Sequence, residues 1–245
     1  MKLILDTNIW YDVETNEIFQ NKKLKSFITV TLLNYLELIK NPRIITDPIL
    51  FRKIFNKMDD YQRTFEPPFV HIAKLHEFYN YNVLLEQNDY IRFVLNFKKG
   101  DFIDPAKVIE YKNYIKNIDK DFEDLANWYN EYAFQIKSKI KDLKKHRLRD
   151  SSQSTNDYIR FIVNKATQKN LETFDFKEIE LLCCTLDVFF KKLEVGEFKM
   201  KTNDIIDYML LSYVQPGDLY YTKDKKWIDY ISIAGKSEYL YNDGT

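Results

Sequence analysis

Strand-like runs in this chain sit almost entirely near its two ends, and a helical pattern follows nearly every one. Residues 2–5 read as a strand, and residues 8–17 as a short helix with Ile9, Trp10 and Val13 at helical spacing. Phe27-Ile28-Thr29-Val30 reads as a second strand. Thr31 then suits the N-cap of a helix carrying Leu32, Leu33, Leu36 and Ile39. Near the other end, Thr202 or Asn203 caps a helix through Ile205, Ile206, Met209, Leu210 and Tyr213, which Pro216-Gly217 stops. Leu219-Tyr220-Tyr221 is a strand, Lys225 to Ile233 a helix, and Glu238-Tyr239-Leu240-Tyr241 a candidate last strand. Strands joined through helices pair in parallel, so the expected fold class is α/β with a parallel sheet.

The middle is different. Residues 45–200 show almost no strand signal and repeated 3.6-residue patterns, which predict an all-helical insertion between core segments 1–44 and 201–245. Candidate helices are Ile49 to Met58, Val83 to Phe97, Pro105 to about Lys145, Asp157–Lys169 and Phe176–Leu193, with a loop at Asp150-Ser151-Ser152-Gln153-Ser154-Thr155. The scarcity of glycine (5) and proline (6) agrees with a helix-rich chain that has few hairpins. Adjacent Cys183 and Cys184 lie in an apolar stretch and read as buried, reduced core residues, which fits a reducing compartment. The apolar run at the N-terminus ends at Asp6, and no stretch approaches the roughly 18 apolar residues of a membrane span. The expectation is a soluble cytoplasmic protein with no membrane partner.

Four acids follow these elements at matching places. Asp6 comes directly after the first strand. Glu37 falls six residues after Thr31, on the second turn of its helix. Asp207 shares a helix face with Asp204, three residues earlier. Asp224 comes just past Leu219–Tyr221. In a parallel α/β sheet, ligands gather outside the C-terminal strand ends, where these carboxylates converge. Crowded carboxylates repel and raise one another's pKa unless a cation neutralises them. An all-oxygen ligand set suits Mg²⁺ or Mn²⁺. Taken singly, an acid after a strand is also the usual residue for a helix cap or turn.

The pieces Leu5-Asp6-Thr7-Asn8, Thr31 to Glu37, Asp207-Tyr208-Met209-Leu210-Leu211 and Tyr221-Thr222-Lys223-Asp224 together resemble the PIN-domain ribonucleases, the fold of many bacterial toxin–antitoxin toxins. The resemblance covers residues 1–40 and about 202–242. It implies a three-layer, PIN-like parallel sheet with helices on both faces and a metal-dependent endoribonuclease, a toxin or defence nuclease. By it, Asp6, Glu37, Asp207 and Asp224 are the catalytic, metal-binding acids, with Asn8 and Thr222 supporting them by hydrogen bonds. Asp204 competes with Asp207, but an acid followed by an apolar helix face matches Asp207 better. The insertion is much larger than small toxins carry, which makes a protein partner or inhibitor a second expectation beside the RNA substrate.

The formal charge is zero, from 37 basic and 37 acidic residues, so an RNA partner requires a local basic patch. Residues 137–149 are the densest basic stretch, with Lys141, Lys144, Lys145 and Arg147 the candidate phosphate contacts and a solvated helix face the plain alternative. His71 and His76 are five apart, which does not align them as a zinc pair on a helix. Tyr79, Tyr81, Phe93 and Phe97 read as core before base-stacking platforms. Two other functions compete. A haloacid-dehalogenase-like phosphatase also carries an acid after strand one, but needs a second acid two residues later, where this chain has Asn8. A non-catalytic PIN-like binding module would use the insertion as its working surface.

Overall fold

A computed structural model describes residues 1–76 and 105–242 of the chain. Its centre is a four-stranded, all-parallel sheet of β1 (Leu3–Leu5), β2 (Ile28–Thr31), β3 (Gln62–Thr64) and β4 (Leu219–Tyr221), in the order β3-β2-β1-β4. The chain moves outward from β1 to β2 and β3, then returns to the opposite side of β1 for β4. The strand order therefore reverses between β1 and β4, and in open α/β sheets that reversal leaves a crevice at the C-terminal strand ends.

Period-two alternation along the strands builds the layers. Leu3 and Leu5 join Ile28 and Val30 in one apolar cluster, while Ile4 and Tyr220 belong to another. The first cluster is closed by α1 (Thr7–Trp10) and α4 (Pro48–Met58), with Trp10, Phe51 and Phe55 fully buried. The second is covered by α5 (Pro68–His76), α6 (Pro105–Lys137), α8 (Ser152–Thr167), α9 (Glu180–Glu194), α10 (Thr202–Leu210) and α11 (Lys225–Ile233). Helix α2 (Leu32–Lys40) touches both: Leu32, Leu33 and Leu36 join the second cluster, and Tyr35, Leu38 and Ile39 the first. Two shorter helices, α3 (Arg43–Thr46) and α7 (Leu143–Leu148), complete the described helical elements apart from short 3₁₀ turns. Among the described residues, no helix is long and apolar enough to cross a membrane.

Several sequence expectations need correction. The segment 45–200 is not all-helical, because Gln62–Thr64 forms the edge strand β3. Its three polar residues show no apolar alternation, since an edge strand of this length needs little beyond its ladder bonds to β2. The helix expected from Pro105 to Lys145 stops at Lys137, and a separate turn of helix, α7, follows once the Asp142 side chain accepts from Lys145 N at 3.0 Å. Glu238–Tyr241 is not a full strand. It is a 3₁₀ turn followed by one parallel bridge from Leu240 to Tyr220. The stretch expected as a loop at 150–155 already enters α8 at Ser152. Val83 to Phe97, with Tyr79, Tyr81, Phe93 and Phe97, lies outside the described residues.

Candidate metal centre

Asn34 sets the local frame. Its buried amide nitrogen donates to Leu5 O at 2.9 Å and to Thr7 Oγ1 at 3.2 Å, and its oxygen accepts from Thr31 N at 2.9 Å. Thr31 Oγ1 in turn accepts from Asn34 N at 3.3 Å, completing a capping box at the start of α2. One side chain thus ties the ends of β1 and β2 to α2. With the helix start fixed, Glu37 is carried to the C-terminal edge of the sheet.

Asp6 leaves β1 at the same edge. Its backbone N–H donates to Tyr221 O at 2.9 Å, extending the β1–β4 ladder by one bond. Its buried carboxylate accepts at Oδ2 from Thr222 Oγ1 at 2.5 Å and from Asn8 Nδ2 at 3.0 Å. Asp207 arrives from the second turn of α10, and its Oδ2 accepts from Trp227 Nε1 at 2.8 Å. Each of Asp6, Glu37 and Asp207 then offers one carboxylate oxygen within 4.8 Å of the other two. Thr7 hydrogen-bonds the Glu37 carboxyl, yet Glu37 Oε2 is buried with no hydrogen-bond partner among the described residues.

All three carboxyls are pushed above the ordinary range. Burial raises Asp6 first, against its bond from Thr222 and the backbone amides of Asn8 and Thr7, with the charge of Asp224 adding to the rise. Burial and the Asp6 charge push Glu37 up to about 7, opposed by Thr7 and Lys40. Burial, then Asp6, then Glu37 lift Asp207, opposed by Trp227 and Lys226. A cluster in which each acid raises the others is under electrostatic tension that a cation relieves. The donor set fits a hard divalent cation: three carboxylates, no sulfur or imidazole, and one oxygen without a partner.

The other expected residues fall around this triad. Asn8 and Thr222 both donate to the Asp6 carboxylate. Asp224 stands apart from the 4.8 Å group. Its Oδ1 caps α11 by accepting from Lys226 N at 2.8 Å, and its own N–H donates to Thr222 Oγ1 at 3.0 Å. Asp204 also stays outside: it caps α10 from Lys201 N at 2.8 Å and forms an ion pair with Lys226. Of the two competing α10 acids, the structure therefore brings Asp207 to the triad. Helix formation explains both outcomes, because an acid one residue before a helix or at its third position is drawn to unpaired backbone N–H groups.

The basic candidates lie elsewhere. Lys141 and Lys145 border a groove with Ile136 and His146, and Lys144 is exposed. Arg147 pairs with Glu197 at 2.9 Å. Glu123, Ala126 and Asn127 of the same helix α6 border a cavity beside Glu37. From Asn127 to Ile136 the helix advances about 14 Å at 1.5 Å per residue. Lys40, Thr7, Asn34 and Trp227 were not anticipated as site residues. Lys40 is one helical turn beyond Glu37, the spacing that could have flagged it. His71 binds Glu66 at 3.4 Å and packs on Tyr213, and His76 packs on Phe174, so each has an ordinary structural role.

No protein-family model, curated protein or solved structure matches the chain.

Proposed function

We propose that this protein is a PIN-like, metal-dependent endoribonuclease that hydrolyses RNA phosphodiester bonds at Asp6, Glu37 and Asp207. The observation that carries the reading is the approach of their three carboxylate oxygens to within 4.8 Å of one another, at the crevice where the strand order reverses. Asp6, Glu37 and Asp207 would hold Mg²⁺ or Mn²⁺, which would supply activation of a water at neutral pH and charge neutralisation on a phosphoryl group.

The chain's own residues prepare the site. Thr222 and Asn8 hold the Asp6 carboxylate by two side-chain donors on Oδ2, with the backbone amides of Thr7 and Asn8 adding to them. Trp227 fixes Asp207 by one donor on Oδ2, which leaves its Oδ1 available to a ligand. Glu37 contributes a carboxyl that gives up its proton near pH 7, close to where hydrolysis at neutral pH needs a carboxylate. Lys40, buried one turn along α2, places a cation beside the acids, where it can meet a phosphate oxygen. Asp224 acts on Asp6 by its charge and, through Thr222, by a hydrogen bond. Asn8 works against the phosphatase alternative, because the residue two after Asp6 is an amide that donates to Asp6 rather than a second acid.

The deciding experiment incubates purified protein with a mixed-sequence single-stranded RNA in Mn²⁺, in Mg²⁺ and in EDTA. Internal cleavage in either metal, none in EDTA, and at least a 100-fold loss in Asp207→Asn support the reading. Cleavage that persists in EDTA or in Asp207→Asn removes it.

A further inference from the structure

The cavity beside Glu37 has a volume of about 710 Å³, within the roughly 300–1,000 Å³ of small-ligand sites. Its walls come from α2 and the turn after it, from α6, and from the start of α10. Because Glu37 belongs both to the acidic triad and to this wall, whatever fills the cavity sits directly against the reacting centre. We infer that the cavity binds the nucleotide next to the scissile phosphodiester, with the amides of Asn127 and Asn203 reading its base. The inference rests on the nuclease reading for its substrate and adds the part that selects it.

The lining chemistry points to a nucleotide. Asn127 and Asn203 are exposed, and neither amide has a hydrogen-bond partner among the described residues. An amide offers a donor and an acceptor side by side, the pattern that matches a base edge. Asn41, also in the wall, is already committed: it donates to Tyr11 Oη at 2.6 Å and accepts from Arg43 N at 2.9 Å, which holds the Tyr11 hydroxyl in place. Lys40 adds positive charge on the side nearest Glu37, with its Nζ 5.5 Å from the Phe122 ring centroid. The cavity therefore pairs a cation near the acids with amides at its rim, and a nucleotide pairs a phosphate with a polar-edged base. A base reaches such a helix-walled recess only when it is out of a duplex, so the substrate strand is single-stranded at this position. Helix α6, part of the segment absent from a minimal sheet-and-helix core, would then be the element that sets sequence preference.

The test titrates the four ribonucleoside 5′-monophosphates separately into the full chain in Mg²⁺, by isothermal calorimetry, and maps base preference in the cleavage products of a mixed-sequence RNA. The wild type should bind at least one nucleotide in preference to the others. Asn127→Ala with Asn203→Ala should weaken that binding at least tenfold and flatten the preference, and Asn127→Asp alone should change which base is favoured. Both positions are exposed, and a thermal melt verifies that the variants fold. Absence of nucleotide binding by the wild type, or unchanged affinity and preference in the folded variants, overturns the inference while leaving metal-dependent cleavage standing. Nucleotide binding that depends on the two amides, without RNA cleavage in any metal, supports the pocket and removes the nuclease reading instead.

Discussion

Thr222 Oγ1 donates to Asp6 Oδ2 at 2.5 Å, joining residues 216 apart in sequence through the neighbouring ends of β4 and β1. The bond does two things. It closes the sheet's C-terminal edge around the acids, and it favours ionised Asp6 against a burial that disfavours it.

Removing that bond should cost stability. A hydrogen bond to a charged group contributes about 1.5–3 kcal/mol, and Thr222 also accepts from Asp224 N. Thr222→Val should therefore lower the melting temperature by roughly 3–12 °C, given about 2–4 °C per kcal/mol for a chain of this size. Thr222→Ser, which keeps the hydroxyl, should restore most of the loss. Equal melting temperatures for wild type and Thr222→Val would show that the bond contributes nothing.

The raised carboxyls fix the sign of a pH effect. Glu37 titrates near 7 in the folded protein, and Asp6 and Asp207 are raised as well, so without metal the folded state holds protons that the unfolded chain has already released. The stability linked to these groups is fully present below the ordinary carboxyl range and is lost as pH rises through the folded values. In EDTA the melting temperature should fall between pH 5 and pH 8. In Mn²⁺ the decline should shrink or reverse, because metal binding displaces those protons. A melting temperature in EDTA that rises over this window would contradict the electrostatic description.

The basic stretch makes a length-dependent prediction. It borders α6 about 14 Å along the helix from the cavity beside Glu37, so a single nucleotide bound there does not reach it. Replacing Lys141, Lys144 and Lys145 with Gln should leave mononucleotide affinity unchanged. For a long single-stranded RNA, it should flatten the slope of log affinity against log salt by up to about 2, at about 0.7 per phosphate contact. Identical slopes would leave these lysines a solvated face.

Much of the sheet edge could be read from the chain because its signals are local. An apolar run into Asp6, the Thr31 cap with Glu37 six residues on, and the apolar face after Asp207 each fix an element and the acid it carries. Asp224 was harder, since an acid between a strand and a helix has the same local pattern whether it binds a ligand or caps the helix, and here it caps α11. The β3 strand left no trace because Gln62-Arg63-Thr64 is held by its place beside β2 and not by an apolar pattern. The end of α6 was equally hidden: no glycine or proline stands between Lys137 and Asp142 to mark it. Trp227 reaches Asp207 by packing across two helices, which no spacing within one segment encodes.

The most direct measurement is a calorimetric Mn²⁺ titration of the full chain at pH 7, repeated in two buffers of different ionisation enthalpy. A carboxylate metal centre predicts saturable binding with proton release, because the Glu37 carboxyl titrates near that pH. It also predicts at least a tenfold loss of affinity in Asp6→Asn and in Asp207→Asn. Wild-type protein that takes up no Mn²⁺ at millimolar concentration, or variants that bind it as tightly as the wild type, would contradict a metal centre at Asp6, Glu37 and Asp207.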